Sequence, residues 1–234
     1  MTTSNRTVMI TGAGGNLGRA VADAFAAQGA NLVLLDLDRA TLEQIYGANH
    51  PQRLLVPANL LDKNELGAAV KAAEERFTRI DVLCNVAGGF RMGSAVHETS
   101  DQDWDFLLNL NARSVLNTAH AVVPLMLKAG GGKIVNVAAN SAQRGLAQMS
   151  AYCASKDVVI RLTESMAAEL RDNNINVNCV MPSIIDTPEN RAAMPDADAS
   201  RWVAPDALAE VIVFLASDAA RAVHGAALPV VGRS

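Results

Sequence analysis

Tyr152 and Lys156 stand four residues apart in the stretch Tyr152-Cys153-Ala154-Ser155-Lys156, inside a segment whose apolar residues recur at helical spacing. On a helix this separation puts a phenol and an ammonium on one face, a turn apart. A free phenol ionises near ~10, too high for easy acid–base work at neutral pH. A cation beside it favours the phenolate and lowers that value. Such a pair can exchange a proton with a carbonyl or alcohol oxygen. A Tyr-x-x-x-Lys pair alone is weak evidence, so its weight depends on what the rest of the chain places near it.

A second group of residues could hold a nucleotide. Thr11-Gly12-Ala13-Gly14-Gly15-Asn16-Leu17-Gly18 follows a short apolar run and leads into a helical pattern. Glycines there allow a tight turn and a close approach of backbone to pyrophosphate, while the helix N-terminus offers free N–H groups and partial positive charge. The next apolar run ends in Asp36, 18 residues beyond Gly18. A carboxylate in that place accepts hydrogen bonds from both hydroxyls of an adenosine ribose and repels a 2′-phosphate. Leu37 follows it rather than a basic residue, and Arg39 is the nearest cation. The pattern points to NAD in preference to NADP.

The elements that must position these groups are legible as alternating runs. Short apolar runs lie at Val8–Ile10, Asn31–Leu35, Arg53–Pro57, Val82–Val86, Lys133–Ala138, Asn176–Met181 and Ala227–Val231. Between them, apolar residues at helical spacing cover Leu17–Gln28, Leu61–Phe77, Gln102–Lys128, Ser150–Arg171 and Pro205–Ala216. Strands separated by helices of this length indicate right-handed crossovers and a parallel sheet. The expectation is one α/β domain over 1–234, doubly wound and Rossmann-type, with a seven-stranded parallel sheet and helices on both faces. The stretch from Pro182 to Trp202, rich in Pro, Asp and Ala, breaks the rhythm. Ligands bind outside the carboxyl ends of strands in such sheets, so residues 183–203 are expected to form a substrate-binding loop.

Composition narrows the class. Half of the 234 residues are hydrophobic, 19% are charged and 4% are aromatic, with a formal charge of −4. That supplies a core of Val, Leu, Ile and Ala, as buried parallel strands require, and no basic stripe for nucleic acid. No stretch reaches the ~18 uninterrupted apolar residues of a membrane span. The opening MTTSNRTVMITG reads as strand and turn rather than signal peptide. Cys84, Cys153 and Cys179 form no Cys-x-x-Cys pair, and the four histidines show no metal-ligand spacing. A cytoplasmic enzyme with reduced thiols, no metal and a small-molecule substrate is expected.

Taken in order, these motifs make the chain resemble the short-chain dehydrogenase/reductase family over essentially its full length. The glycine stretch matches the family's TGxxxGxG, with Asn16 where a glycine is usual. Asn59-Leu60 matches the site that touches adenine, and Asn85-Val86-Ala87-Gly88 matches the NNAG segment beside the cofactor. Pro182-Ser183-Ile184-Ile185-Asp186-Thr187 matches the PGxxxT turn, in which Ile185 backbone and the Thr187 hydroxyl would grip the nicotinamide carboxamide. The resemblance implies that Tyr152 is the general acid/base. Lys156 would hydrogen-bond the nicotinamide ribose and lower the tyrosine pKa, and Asn111 would hold a water of the proton relay. Cofactor contacts would come from Gly12, Gly14, Asn16, Leu17, Gly18, Asp36, Leu37, Asn59, Leu60, Asn85, Ala87, Gly88, Tyr152, Lys156, Pro182, Ile185 and Thr187.

One departure bears on substrate. The family's substrate-orienting serine lies 13 residues before the tyrosine, and Ala139 stands there. Ser141 or Asn140 is the candidate replacement. Dihydropteridine reductases, a branch of this superfamily, also carry alanine at that position. The segment after Thr187, and Phe90 after Gly88-Gly89, resemble that branch. Two enzymatic readings therefore stand: a small carbonyl or alcohol substrate, and a quinonoid or imine-like acceptor that needs less polarisation. A NAD-binding sensor without chemistry is the non-enzymatic rival. Phe90, Arg91, Met92, Gln143, Met149 and Trp202 are candidate pocket residues. Surplus apolar positions on the helical patterns 102–128 and 150–171, such as Leu116, Val123 and Met126, suggest a homodimer or homotetramer.

Overall fold

The computed structural model describes residues 6–48 and 50–234; residues 1–5, where the stretch read as lacking a signal peptide begins, lie outside them. Seven strands form one parallel sheet: β1 (Thr7–Thr11), β2 (Asn31–Asp36), β3 (Arg53–Pro57), β4 (Val82–Asn85), β5 (Gly132–Val137), β6 (Ile175–Pro182) and β7 (Ala227–Val230). Their order is β3-β2-β1-β4-β5-β6-β7, and every neighbour pair is parallel. The expected single Rossmann-type domain is what the chain forms.

Alternation along the strands divides the core into two layers. Val8 and Ile10 of β1 point to the face covered by α1 (Asn16–Ala26) and α8 (Pro205–Leu215), where Phe25, Val21, Leu208 and Ile212 are fully buried. Met9 points the other way and meets Leu66 of α3 (Lys63–Phe77) and Val122 and Met126 of α5 (Ser114–Lys128). The period of two that sends neighbouring residues to opposite faces is what lets both faces be apolar. The remaining elements are α2 (Arg39–Tyr46), α4 (Asp101–Leu107), α6 (Ser150–Leu170) and α7 (Pro188–Ala193).

Three departures from the sequence reading have physical reasons. Helix α2 escaped notice because it buries only Leu42; it starts on an Asp38 cap that accepts from Ala40 and Thr41 N–H groups. The continuous pattern over 102–128 is interrupted by a π-helical segment, Leu108–Arg113, between α4 and α5. The loop at 183–203 is not irregular throughout: it contains α7, with Pro188 at its start and Thr187 as its cap. No helix among the described residues is long and apolar enough to cross a membrane.

Strand order sets where a ligand can lie. From β1 the chain winds toward β2 and β3; from β4 it winds the opposite way, through β5, β6 and β7. The connections leaving the carboxyl ends of β1 and β4 therefore diverge and open a crevice between them. The glycine turn follows β1 and Val86–Gly89 follow β4, so both line this crevice.

Candidate active site

The glycine turn is shaped by close approach. Gly12 adopts φ +65°, and a Cβ there would stand 2.7 Å from Ala87 Cα. A Cβ on Gly18 would lie 2.1 Å from the Gly12 carbonyl oxygen, so no side chain fits at that position of the first turn of α1. Thr11 ties the turn to the segment after β4: its hydroxyl accepts from the N–H groups of Val86 at 3.1 Å and Ala87 at 3.2 Å. Helix α1 begins on Gly15 with no side-chain cap, leaving the first-turn N–H groups of Asn16, Leu17 and Gly18 aimed at the crevice. The Asn16 side chain turns instead to Glu189 of α7, donating at 2.8 Å.

Asp36 closes the far end of β2. One carboxylate oxygen accepts from Gly14 N–H at 2.8 Å and the other from Leu37 N–H at 2.8 Å. Leu37 itself is exposed. Asn59 folds its carbonyl onto Leu61 N–H at 3.0 Å, and Asn117 holds the Leu60 carbonyl at 3.0 Å. Asn85 is engaged on both sides: its amide donates to Asn136 at 2.8 Å and accepts from Thr118 at 2.8 Å, while Asn136 donates to Thr163 at 2.9 Å. This buried ladder joins β4, β5, α5 and α6, so the Asn85 side chain supports the crevice floor from beneath.

Helix α6 carries the reactive pair. Lys156 is buried and donates to the Val137 carbonyl at 2.9 Å. A Cβ on Gly88 would stand 3.0 Å from both Lys156 Nζ and Asn111 Oδ1. These two groups and the Gly88 backbone therefore meet at one point of the crevice, where a methyl would fill the space. Tyr152 is half-buried; the Phe90 ring meets it edge-on at 4.8 Å, and its hydroxyl has no partner among the described residues.

Asn111 sits in the π-helical segment, which carries its side chain to the Gly89 peptide. It accepts from Gly89 N–H at 2.8 Å and donates to the Gly89 carbonyl at 3.0 Å and to Ser155 Oγ at 2.9 Å. Both amide N–H groups are thus engaged, and only the second lone pair of Oδ1 is left for a water. Ser155 passes the connection on, donating to the Tyr152 carbonyl at 2.8 Å. Sequence reasoning overlooked Ser155, although it lies between Tyr152 and Lys156.

The electrostatics differ from expectation. Burial pushes the Tyr152 phenol up to about 12, with Cys153 adding to the rise. Burial also pulls the Lys156 ammonium down to about 8, opposed by Cys179. Burial, which disfavours the charged form of each group, is the leading cause of both shifts. At neutral pH the phenol holds its proton and the lysine remains mostly cationic.

Ala139 is buried in extended backbone at the end of β5. Asn140 Oδ1 is occupied by Gln143 Nε2 at 2.6 Å, whereas the half-buried Ser141 hydroxyl has no partner among the described residues. In the segment 183–203, Thr187 caps α7 by accepting from Asn190 N–H at 3.2 Å, and the Ile185 carbonyl accepts from Asn190 Nδ2 at 2.8 Å. Pro182 ends β6. Among the pocket candidates, Phe90 and Met92 are exposed, whereas Trp202 is buried in the core. Arg91 pairs with Asp103 at 2.5 Å and lies 3.8 Å from the Phe106 ring centre.

A family model described as short chain dehydrogenase matches residues 6–198. The chain is 35% identical to a D-threitol dehydrogenase of Mycolicibacterium smegmatis, over 97% of this chain and 92% of that protein. It superposes with a TM-score of 0.88 on a 3-ketoacyl-(acyl-carrier-protein) reductase of Brucella melitensis complexed with NADH, at 30% identity and over 99% of both chains. A gluconate 5-dehydrogenase of Burkholderia cenocepacia, in complex with NADP and tartrate, superposes with a TM-score of 0.89 at 29% identity, over 99% of this chain and 95% of that one.

Proposed function

Because the chain belongs to the short-chain dehydrogenases and is an NAD(P)-dependent oxidoreductase, we propose that it interconverts a small carbonyl compound and its alcohol, with NAD(H) as the preferred cofactor and Tyr152 as general acid and base. The observation that carries this reading is the meeting of Lys156, Asn111 and the Gly88 backbone at one point of the crevice, on the helix that carries Tyr152. The crevice suits a dinucleotide. Its glycine turn leaves no room for a Cβ at Gly12 or Gly18, the first turn of α1 has no side-chain cap, and the Asp36 carboxylate lies against Gly14, where it would receive a ribose. The preference for NAD rests on that carboxylate, which would meet a 2′-phosphate with like charge.

Gly12, Gly14 and the first turn of α1 (Asn16, Leu17, Gly18) would hold the diphosphate. Asp36 and Leu37 would receive the adenosine ribose, Asn59 and Leu60 the adenine. Ala87, Gly88, Pro182, Ile185 and Thr187 would frame the nicotinamide, with Asn85 supporting from below. When bound, the nicotinamide supplies or accepts the hydride. Tyr152, protonated at neutral pH, gives its proton to the substrate oxygen as negative charge develops there. Lys156 holds a positive charge beside the phenolate so formed. Asn111 and Ser155 fix the tyrosine's helical turn against Gly89, and Ser141, whose hydroxyl is free, takes the place of the serine missing at Ala139.

A second reading is favoured by Ala139 itself, whose methyl cannot hydrogen-bond a substrate oxygen. An electron-poor quinonoid or imine acceptor would need no such bond. The discriminating experiment is NADH oxidation with simple ketones in one set, and quinonoid dihydropterin and quinones in the other. Turnover of ketones, lowered by Ser141→Ala and raised by Ala139→Ser, supports the carbonyl reading. Turnover confined to the second set, with no response to either change, replaces it. A cytoplasmic location fits three free, buried cysteines. A homodimer or homotetramer fits the exposed Leu116 and Leu127 on α5, whereas Met126, counted as surplus from the sequence, is fully buried in the chain's own core and Val123 packs against it.

A further inference from the structure

The peptide that joins Ala13 to Gly14, in the middle of the glycine turn, is held from both sides. Its carbonyl accepts a 2.7 Å hydrogen bond from the Tyr46 hydroxyl, and its N–H donates at 2.8 Å to Asp36 Oδ2. A trans peptide is planar, with its C=O and N–H pointing in opposite directions. Partners on the two sides therefore prevent it from rotating. The neighbouring Ala13 N–H is also fixed, at 3.0 Å from the Leu35 carbonyl. Ala13 is fully buried, so no solvent could replace the tyrosine as donor to its carbonyl.

Tyr46 is itself held in place for this contact. It is the last residue of α2, and its ring packs partly buried against the core layer under α1. The Arg53 guanidinium lies 5.8 Å from the ring centre and donates to the Tyr46 carbonyl. Burial, with Asp23 adding to it, raises the phenol's pKa well above its ordinary value, so it stays a donor throughout the useful pH range.

We propose that Tyr46 is a positioning residue for Asp36: by fixing the Ala13–Gly14 peptide it aims the carboxylate at the ribose and so sets the preference for NADH over NADPH. This rests on reading Asp36 as the ribose acceptor. Without the hydroxyl the peptide keeps only its N–H partner. The carboxylate then loses a rigid donor on one of its two oxygens. Chemistry at Tyr152 is untouched, because α2 contributes nothing to that end of the crevice.

The test compares wild type, Tyr46→Phe and Asp36→Asn. Affinity for NADH and NADPH is measured by fluorescence titration, and kcat and KM by steady-state kinetics. Tyr46→Phe keeps the ring and its packing. It is expected to weaken NADH binding roughly five- to tenfold, the scale of one hydrogen bond whose buried acceptor is left unpaired. The NADH/NADPH selectivity ratio falls with it, while kcat at saturating NADH and KM for the acceptor stay as in wild type. A lower melting temperature with unchanged NADH affinity and selectivity would show a purely structural role and overturn the proposal. If Asp36→Asn weakens NADH binding and Tyr46→Phe does not, the proposal fails and the ribose reading stands. If Asp36→Asn leaves both affinities unchanged, the ribose reading fails and the proposal with it.

Discussion

Lys156→Met should alter how stability depends on pH, by an amount that follows from the lysine's surroundings. Lys156 is 5% exposed and its ammonium donates to the Val137 carbonyl. Its folded pKa of about 8 lies below the ordinary 10.5. Below pH ~8 the lysine is charged in both folded and unfolded chains, and the folded chain bears the cost of desolvation. Between ~8 and ~10.5 the unfolded chain retains a proton that the folded chain has released, so stability rises with pH. The gap between the two values opposes folding by about 3 kcal/mol at pH ~7, and about 2 kcal/mol of this is relieved by pH ~9.5. For a chain of this size that is a rise of about 4–8 °C in melting temperature.

Other groups titrate in the same range. Burial raises the thiols of Cys84 and Cys179, the latter to about 11, so their contribution to stability is lost as pH climbs past the ordinary thiol value. These thiols remain in the variant, and the missing donor to Val137 costs the variant the same at every pH. The assay is therefore the change in melting temperature from pH ~7 to pH ~9.5 in wild type minus the same change in Lys156→Met. A positive difference of several degrees is expected, together with loss of turnover. Equal pH dependence in the two proteins would refute the claim that a buried, destabilised cation sits beside Tyr152.

Gly18→Ala should abolish NADH binding and lower the melting temperature, since the added Cβ would lie 2.1 Å from the Gly12 carbonyl oxygen; calorimetric titration and thermal unfolding read both effects. Asn136→Ala should cost about 2–4 kcal/mol in urea unfolding, because it leaves a cavity and removes the acceptor of the buried Asn85 amide, while Thr163 keeps its bond to the Val159 carbonyl.

Much of the sheet was legible because its strands are buried on both faces and read as Val, Ile and Leu runs, as at Leu32–Leu35. The relation of Tyr152 to Lys156 was legible because helical spacing alone puts them on one face. Helix α2 was not, since a surface helix that buries only Leu42 leaves no apolar stripe. The π-helical segment at Leu108–Arg113 was hidden because a one-residue shift of hydrogen bonds barely changes apolar spacing. The ladder Thr118–Asn85–Asn136–Thr163 appears in sequence as isolated polar residues in four apolar elements, and only the folded register brings them together. The direction of the Tyr152 and Lys156 shifts depends on burial, which spacing does not report.

The most direct test of the central claim is Tyr152→Phe, with NADH affinity and turnover measured on the same preparation, using an acceptor that wild type reduces. The ring and its edge contact with Phe90 are retained, and only the proton-bearing oxygen is removed. NADH affinity is expected to stay within about twofold of wild type, with turnover lower by a factor of about 10²–10⁴. Turnover close to wild type would contradict the assignment of Tyr152 as the proton donor, and a parallel loss of NADH binding would show that the residue holds cofactor rather than moving a proton.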